Sequence, residues 1–350
     1  MIISRTPFRM SFFGGGTDYP VWYREHGGSV LGVTINKYCY ISCRYLPPFF
    51  KHKSRIVYSK VETVSSNNDI EHPAVRGTLQ HLKMTSGVEI HHDGDLPART
   101  GLGSSSSFTV GFLNCLFALK HQMATKTQLA KEAVHVEQSV LKENVGSQDQ
   151  IMAAFGGFNR IDFHRDDSFT VTPMILNQEK LVHLQKHILL YFTGFSRFAS
   201  DIAGEQIQKT KERTTELTQI HEMVDEAVSI LAGKCNFTEF GKLLHEGWKL
   251  KRGLTSKISS PAIDEIYEAA LSGGAIGGKL LGAGGGGFML IFAKPEDHLK
   301  IEAKLNGLLR VPVRFENEGS QIIVYQPNNI SDSVENFADK SPTVVEASYG

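Results

Sequence analysis

Cysteine and tryptophan are scarce in this chain of 350 residues, with four and two respectively. The cysteines, Cys39, Cys43, Cys115 and Cys235, sit in apolar or strand-like stretches and form no C-x-x-C pair, which argues against a zinc site or a disulfide framework. Net charge is missing too: 37 basic residues balance 37 acidic ones, so no overall field draws the chain to DNA, RNA or an anionic membrane. No apolar run approaches the roughly 18 residues of a membrane span. The start, Met1-Ile-Ile-Ser-Arg-Thr-Pro-Phe-Arg9, leads straight into sequence that reads as folded, without the apolar core and cleavage site of a secretory leader. The expectation is a cytoplasmic protein in a reducing setting whose partner is a small molecule, with no nucleic acid and no membrane. A homodimer is compatible with the sequence.

What is present is a sizeable core: 41% of residues are hydrophobic, enough for two domains or one large α/β unit. Over the first ninety-odd residues apolar and polar positions alternate in short runs broken by Gly, Pro and Asn. This predicts strands, most clearly over 29–45, 55–59 and 87–92. From Ser104 the period changes, and Phe108, Phe112, Leu113, Leu116, Phe117 and Leu119 predict a helix. A second helix is predicted from about Thr127, as its cap, to Asn144. A strand near 188–194, several helices over 200–256 punctuated at Gly233 and Asn236, and a buried strand over 288–293 follow. A helix near 296–309 and strands over 311–316 and 321–325 complete the reading. The polar stretch 328–350 reads as a tail.

Glycine marks the chemistry. Pro97-Ala-Arg-Thr-Gly101-Leu102-Gly103-Ser104-Ser105-Ser106-Ser107 runs into the helix. A helix start offers unpaired N–H groups and a positive dipole end, so a Gly/Ser turn there suits an anion such as phosphate. A flexible turn with several N-caps is the plainer alternative. Two other glycine runs fail on context. Gly273-Gly-Ala-Ile-Gly-Gly-Lys279-Leu280 nearly spells a P-loop, but Leu280 stands where a hydroxyl would hold Mg²⁺, and a helical segment precedes it. Gly282-Ala-Gly284-Gly285-Gly-Gly287 fits G-x-G-x-x-G yet precedes a strand instead of opening a helix. Considered alone, it reads as a tight turn packed on another loop.

Three segments in order resemble the signature of the GHMP kinases, the superfamily of galactokinase, homoserine kinase, mevalonate kinase and phosphomevalonate kinase. They are Arg5-Thr-Pro-Phe-Arg9 through Gly14-Gly15-Gly16-Thr17-Asp18, Pro97 to Ser107, and Lys279-Leu-Leu-Gly-Ala-Gly-Gly-Gly-Gly287. The resemblance implies an α+β fold of two domains: an S5-like α/β domain over 1–180 that binds nucleotide and sugar, and a ferredoxin-like domain over 181–327. It implies ATP and Mg²⁺ as cofactors.

The roles it implies fall on specific residues. Asp149 would accept the proton of the acceptor hydroxyl, with Arg9 holding it ionised or stabilising the oxygen. Pro97, Gly101, Leu102, Gly103 and Ser104 to Ser107 would hold phosphate. Glu137 with Ser105 or a neighbouring serine would hold Mg²⁺. Gly15, Gly16, Thr17 and Asp18 would meet the sugar, with Gly284 and Gly285 beside it, and Arg197, Lys251 and Arg252 would hold a distal phosphate. The Gly-Gly-Gly-Thr-Asp form departs from galactokinase, which places Gly-Glu-His before Thr-Asp. It looks like bacterial kinases acting on the anomeric oxygen of D-glycero-D-manno-heptose 7-phosphate, on the route to nucleotide-activated heptose, and like fucose kinases. A free-sugar 1-kinase for fucose or mannose, and a non-catalytic sugar or ATP sensor, are the alternatives. The fourteen histidines show no metal spacing.

Overall fold

A computed structural model describes residues 1–47, 49–194, 199–233 and 236–327. The chain begins with β1 (Ile2–Phe13), α1 (Pro20–His26), β2 (Gly28–Tyr45), β3 (Ser54–Val57) and β4 (Val61–Val64). Next come α2 (Pro73–His81), β5 (Val88–Gly94), α3 (Ser104–Leu119), α4 (Lys126–His135), α5 (Gln148–Phe155), β6 (Phe158–Phe163) and β7 (Phe169–Pro173). The next segment holds α6 (Gln178–Lys186), β8 (Ile188–Phe192), α7 (Ala199–Lys209), α8 (Thr214–Ala232), α9 (Phe237–Leu254) and α10 (Pro261–Ser272). Last are β9 (Ala275–Leu280), β10 (Phe288–Ala293), α11 (His298–Lys304), β11 (Leu309–Arg310), β12 (Phe315–Glu316) and β13 (Gln321–Tyr325).

The described strands form two sheets. The larger has nine strands along the path β13-β1-β2-β5-β3-β4, with β6, β7 and β12 attached through β2. The smaller is the antiparallel order β11-β8-β10-β9. Because β12 pairs with β2 and β13 with β1, the end of the described chain returns to the sheet in which the chain began. The stretch predicted as one strand over 311–316 is extended only at Phe315–Glu316.

β1 and β2 are antiparallel partners over most of their length, with Arg9 opposite Thr34 and a register shift between Pro7 and Phe8. Proline has no N–H to give a ladder, so an irregularity there is where it is tolerated. β1 is covered on both sides. Phe8, Met10 and Phe12 enter the core, while α3 lies on the strand so closely that a Cβ at Gly111 would fall 2.6 Å from Thr6 Oγ1. Ser4 and Ser107 reinforce that approach by donating to Gly111 O and Pro7 O, each at 2.9 Å. α3 is buried nearly all round, as a central helix must be. Ring contacts tie the sheets together: Phe12 meets Phe158 at 5.7 Å and Phe240 of α9 at 5.6 Å, both edge to face, and Phe240 meets Phe292 of β10 at 5.4 Å, tilted.

Candidate functional site

The loop between β5 and α3 reaches the helix through Gly101 and Gly103, at φ +84° and +76°, a region that only glycine enters without strain. Gly103 occupies the cap position, so no side chain caps the helix start, and its first N–H groups are left for a ligand. Leu102 is buried, and its carbonyl takes the Arg9 N–H at 3.0 Å. Pro97 is exposed, its carbonyl accepting from Thr100 Oγ1 at 2.8 Å. The four serines diverge, since successive helical residues turn by about 100°. Ser104 Oγ takes the Arg99 N–H at 3.1 Å, Ser105 is exposed, Ser106 turns inward and Ser107 is buried against β1. Ser107 is therefore a packing residue, contrary to the expectation that its hydroxyl meets phosphate.

Beside this loop Arg9 grips Asp149 with two arms: Nε donates to Oδ1 at 2.7 Å and Nη2 to Oδ2 at 2.6 Å. Its Nη1 donates to Gly101 O at 2.6 Å. One guanidinium thus fixes both the carboxylate and the loop, a geometry that lysine cannot reproduce. Arg9 is 4% exposed and Asp149 24%, so the carboxylate remains open on one side. Asp149 lies in the first turn of α5, where the helix dipole favours an anion. A Cβ at Gly103 would stand 3.3 Å from Asp149 Oδ2, which puts the carboxylate next to the glycine turn that opens α3.

Glu137 is reached differently. The second helix is capped by Thr125, not Thr127, since Thr125 Oγ1 takes the Gln128 N–H at 3.1 Å. Nor does it run to Asn144: α4 gives way to a π-helical turn over Val136–Val140, closed by Leu141 N–H on Val136 O at 2.9 Å. Such wide turns recur at functional sites because they re-aim one side chain. Here Glu137 points into the interior, 0% exposed. Its Oε2 accepts from Ser106 Oγ at 2.9 Å and from Gln150 Nε2, while Oε1 has no partner. Burial pushes its carboxyl up to about 7. An orphaned buried carboxylate oxygen fits a cation. Among the described residues no three His, Cys, Asp or Glu side chains cluster to hold a metal unaided. The serine at this carboxylate is Ser106; Ser105, the residue first expected there, faces outward.

The Gly14–Asp18 turn also divides. Thr17 is fully buried, its one hydroxyl proton shared between Gly14 O at 2.8 Å and Ser29 O at 2.9 Å while its oxygen accepts from Ser29 N–H at 3.2 Å. It holds the turn and has nothing left for a sugar, which corrects the expectation. Gly16 is packed as well, with Gln206 Nε2 2.8 Å from where its Cβ would lie, but its N–H orients Asp18 Oδ1 at 3.0 Å. Asp18 presses on Gly146, where a Cβ would meet Oδ2 at 1.8 Å. Burial, helped by the charge of Asp149, holds its carboxyl above the usual range. Gly15 lines a small cavity with Gly14, Phe12 and Phe13.

The C-terminal glycine turn packs on the phosphate loop. A Cβ at Gly287 would lie 2.2 Å from Thr100 O, and Phe288 N–H donates to that same oxygen at 3.1 Å. Gly284 and Gly285, expected beside the sugar, instead abut Ile258: a Cβ at Gly284 would lie 2.7 Å from Ile258 Cα, and Gly285 N–H donates to Ile258 O at 2.9 Å. Lys251 and Arg252 part company on α9. Lys251 is buried, with Nζ on Leu280 O and Gly282 O, whereas Arg252 pairs with Asp264 at 2.9 Å and lies over the Trp248 ring. Of the two, only Lys251 lines the cavity beside Gly14 and Gly15; Arg252, expected with it at a distal phosphate, is engaged elsewhere. Arg197 lies outside the described residues. Lys279, quoted above only as part of a glycine motif, is buried in the same cavity as Lys251. The signal in the sequence was a lone cation between Gly278 and Leu280 at the end of a buried strand.

Two family models match the chain: the GHMP kinases N terminal domain over residues 71–157 and the GHMP kinases C terminal domain over 230–308. The chain is 27% identical over 310 residues to a D-glycero-alpha-D-manno-heptose 7-phosphate kinase of Campylobacter jejuni, covering 84% of this chain and 90% of that one. It is 24% identical to a bifunctional fucokinase/GDP-fucose pyrophosphorylase of Arabidopsis thaliana over 84% of this chain and 30% of the longer relative. A crystal structure of a D-glycero-D-manno-heptose 1-phosphate kinase from Bacteroides thetaiotaomicron superposes with a TM-score of 0.75 at 24% identity, covering 93% of this chain and all of that one.

Proposed function

The chain belongs to the GHMP kinases, and from that premise we propose that it transfers the γ-phosphoryl group of ATP to the anomeric hydroxyl of a sugar, D-glycero-α-D-manno-heptose 7-phosphate, giving the 1,7-bisphosphate. The observation that carries the reading is the Arg9–Asp149 pair docked on the phosphate loop through Gly101 O.

Phosphoryl transfer asks for positioning and charge neutralisation more than for covalent chemistry. The first N–H groups of α3, with Ser104 and Ser105, cradle the phosphates. Asp149, partly exposed and beside Gly103, accepts the hydroxyl proton as the new O–P bond forms and the bond to the departing ADP oxygen breaks. Arg9 keeps that carboxylate aimed and offsets charge gathering on the attacking oxygen. Glu137 and Ser106 would hold Mg²⁺, which would supply charge neutralisation for the phosphates. Asp18, braced by the Gly16 N–H, receives sugar hydroxyls.

The test is incubation with ATP, Mg²⁺ and a panel containing the heptose 7-phosphate, fucose and mannose, with the product read by phosphorus NMR. A new anomeric phosphate on the heptose 7-phosphate is the expected outcome. Phosphate on any non-anomeric oxygen sinks the anomeric assignment, and turnover of fucose or mannose alone moves the acceptor to a free sugar.

A further inference from the structure

Two ammonium groups lie buried in the cleft with more donors than acceptors. Lys251 and Lys279 are each 7% exposed. Lys279 Nζ donates to Phe12 O at 2.8 Å, and Lys251 Nζ donates to Leu280 O at 3.1 Å and Gly282 O at 2.5 Å. An ammonium carries three N–H bonds. Two on Lys279 and one on Lys251 therefore have no acceptor among the described residues. Neither lysine forms an ion pair there. The nearby carboxylates are engaged, Asp149 by Arg9 and Asp18 by the Gly16 N–H against Gly146.

Two like charges taken out of water beside a third, Arg9, face only the two carboxylates Asp18 and Asp149, neither of which pairs with a lysine, and a further anion would offset the cost of their burial. Burial, with the charge of Arg9 adding to it, pushes Lys251 down to about 8, and burial with the charge of Lys251 pushes Lys279 well below its ordinary value. Both lysines line one cavity, whose other walls include Phe12, Phe13, Gly14, Gly15 and Gly247. No residue of the phosphate loop lines it. It adjoins instead the turn that carries Asp18.

We propose that Lys251 and Lys279 together seat the phosphate group that the sugar acceptor carries remote from its reacting hydroxyl, so that this cavity selects phosphorylated sugars over free ones. The inference rests on the sugar-kinase reading above. Phosphate is also the chemistry of the nucleotide, but the cavity walls belong to the acceptor side. Arg252 takes no part, since Asp264 and Trp248 engage it.

The experiment compares kcat/KM for the heptose 7-phosphate and for its dephosphorylated counterpart in the wild type, Lys251→Met and Lys279→Met. The preference for the phosphorylated acceptor should fall about tenfold or more in each variant, the effect of losing one charged hydrogen bond. An unchanged preference in both overturns the proposal. A second arm needs no variant: inorganic phosphate should inhibit the wild type competitively against the sugar phosphate. Competition against ATP instead gives the lysines to the nucleotide and equally overturns the proposal. Should the wild type phosphorylate no sugar, the kinase reading fails first. Calorimetric binding of inorganic phosphate to the wild type, lost in Lys279→Met, then still decides the site: retained binding in the variant, or none in the wild type, refutes it.

Discussion

Gly101 and Gly282 meet backbone to backbone: a Cβ at Gly282 would stand 2.4 Å from Gly101 Cα, and one at Gly101 would stand 2.3 Å from Leu281 O. The two glycine motifs, with Gly101 and Gly282 separated by 181 positions in the chain, are one structural object. The second is the floor on which the first rests, through Gly282 against Gly101 and Gly287 against Thr100.

Gly282→Ala should therefore act on the phosphate loop. The new methyl meets backbone, which cannot swing aside, and φ of +74° adds strain. ATP affinity should fall by at least about tenfold, together with a loss of thermal stability. Gly307→Ala is the comparison: φ is +99° there, but nothing lies within 4 Å. Calorimetric titration and melting of both variants separate displaced backbone from strain alone; equal ATP affinity in the two would refute the packing argument.

Asp149→Asn should lower kcat by about a hundredfold to ten-thousandfold, the usual range for a lost acid–base group, while ADP binding persists. Arg9→Lys should also be deleterious, although charge is conserved. A single ammonium cannot hold both Asp149 oxygens and Gly101 O at once. Wild-type turnover in Arg9→Lys would show that the fork geometry is dispensable.

Glu137→Gln should raise the Mg²⁺ concentration needed for half-maximal activity, since an orphaned carboxylate oxygen becomes part of a neutral amide. It carries a second, opposite expectation for stability. The carboxyl is held at about 7 when folded, against an ordinary 4.5, so the folded state binds the proton more tightly. That contribution is fully present below the unfolded value and is lost as pH rises through about 7, at a slope of about 1.4 kcal/mol per pH unit. With EDTA present, the glutamine variant should match the wild type at low pH and melt higher above neutrality. Parallel melting curves from pH 5 to 8 would contradict the buried, neutral carboxyl.

Arg252→Ala should leave acceptor preference unchanged and cost about 1 kcal/mol or less of stability, the measure of a partly exposed ion pair and ring contact. Acceptor kinetics and melting check this; a selective rise in KM for the phosphorylated sugar would return Arg252 to the site.

Much of this was legible in the residues themselves. The helix from Ser104, the buried strand over 288–293 and the punctuation at Gly233 and Asn236 follow from period and turn chemistry, which are local. So does the glycine turn that opens α3 without a side-chain cap, although from that segment alone a flexible turn fitted as well as a phosphate cradle. The resemblance extended the reading to Arg9 and Glu137, and to Asp18 and Asp149.

Local pattern could not decide which way a side chain faces. Ser105 and Ser106 are neighbours of one type, and only the crossing of α3 with the turn at Val136–Val140 turns Ser106 to Glu137 and Ser105 to solvent. Thr17 looked like a ligand until the return of β2 brought Ser29 to its hydroxyl. Lys251 and Arg252 separate because α9 turns the first toward the backbone of Leu280 and Gly282 at the end of β9 and the second toward Asp264 of α10. Sequence alone determined the elements and the chemistry they carry, since propensity and period act over a few residues. Tertiary structure decided the partners, since each is set by the packing of segments far apart in the chain.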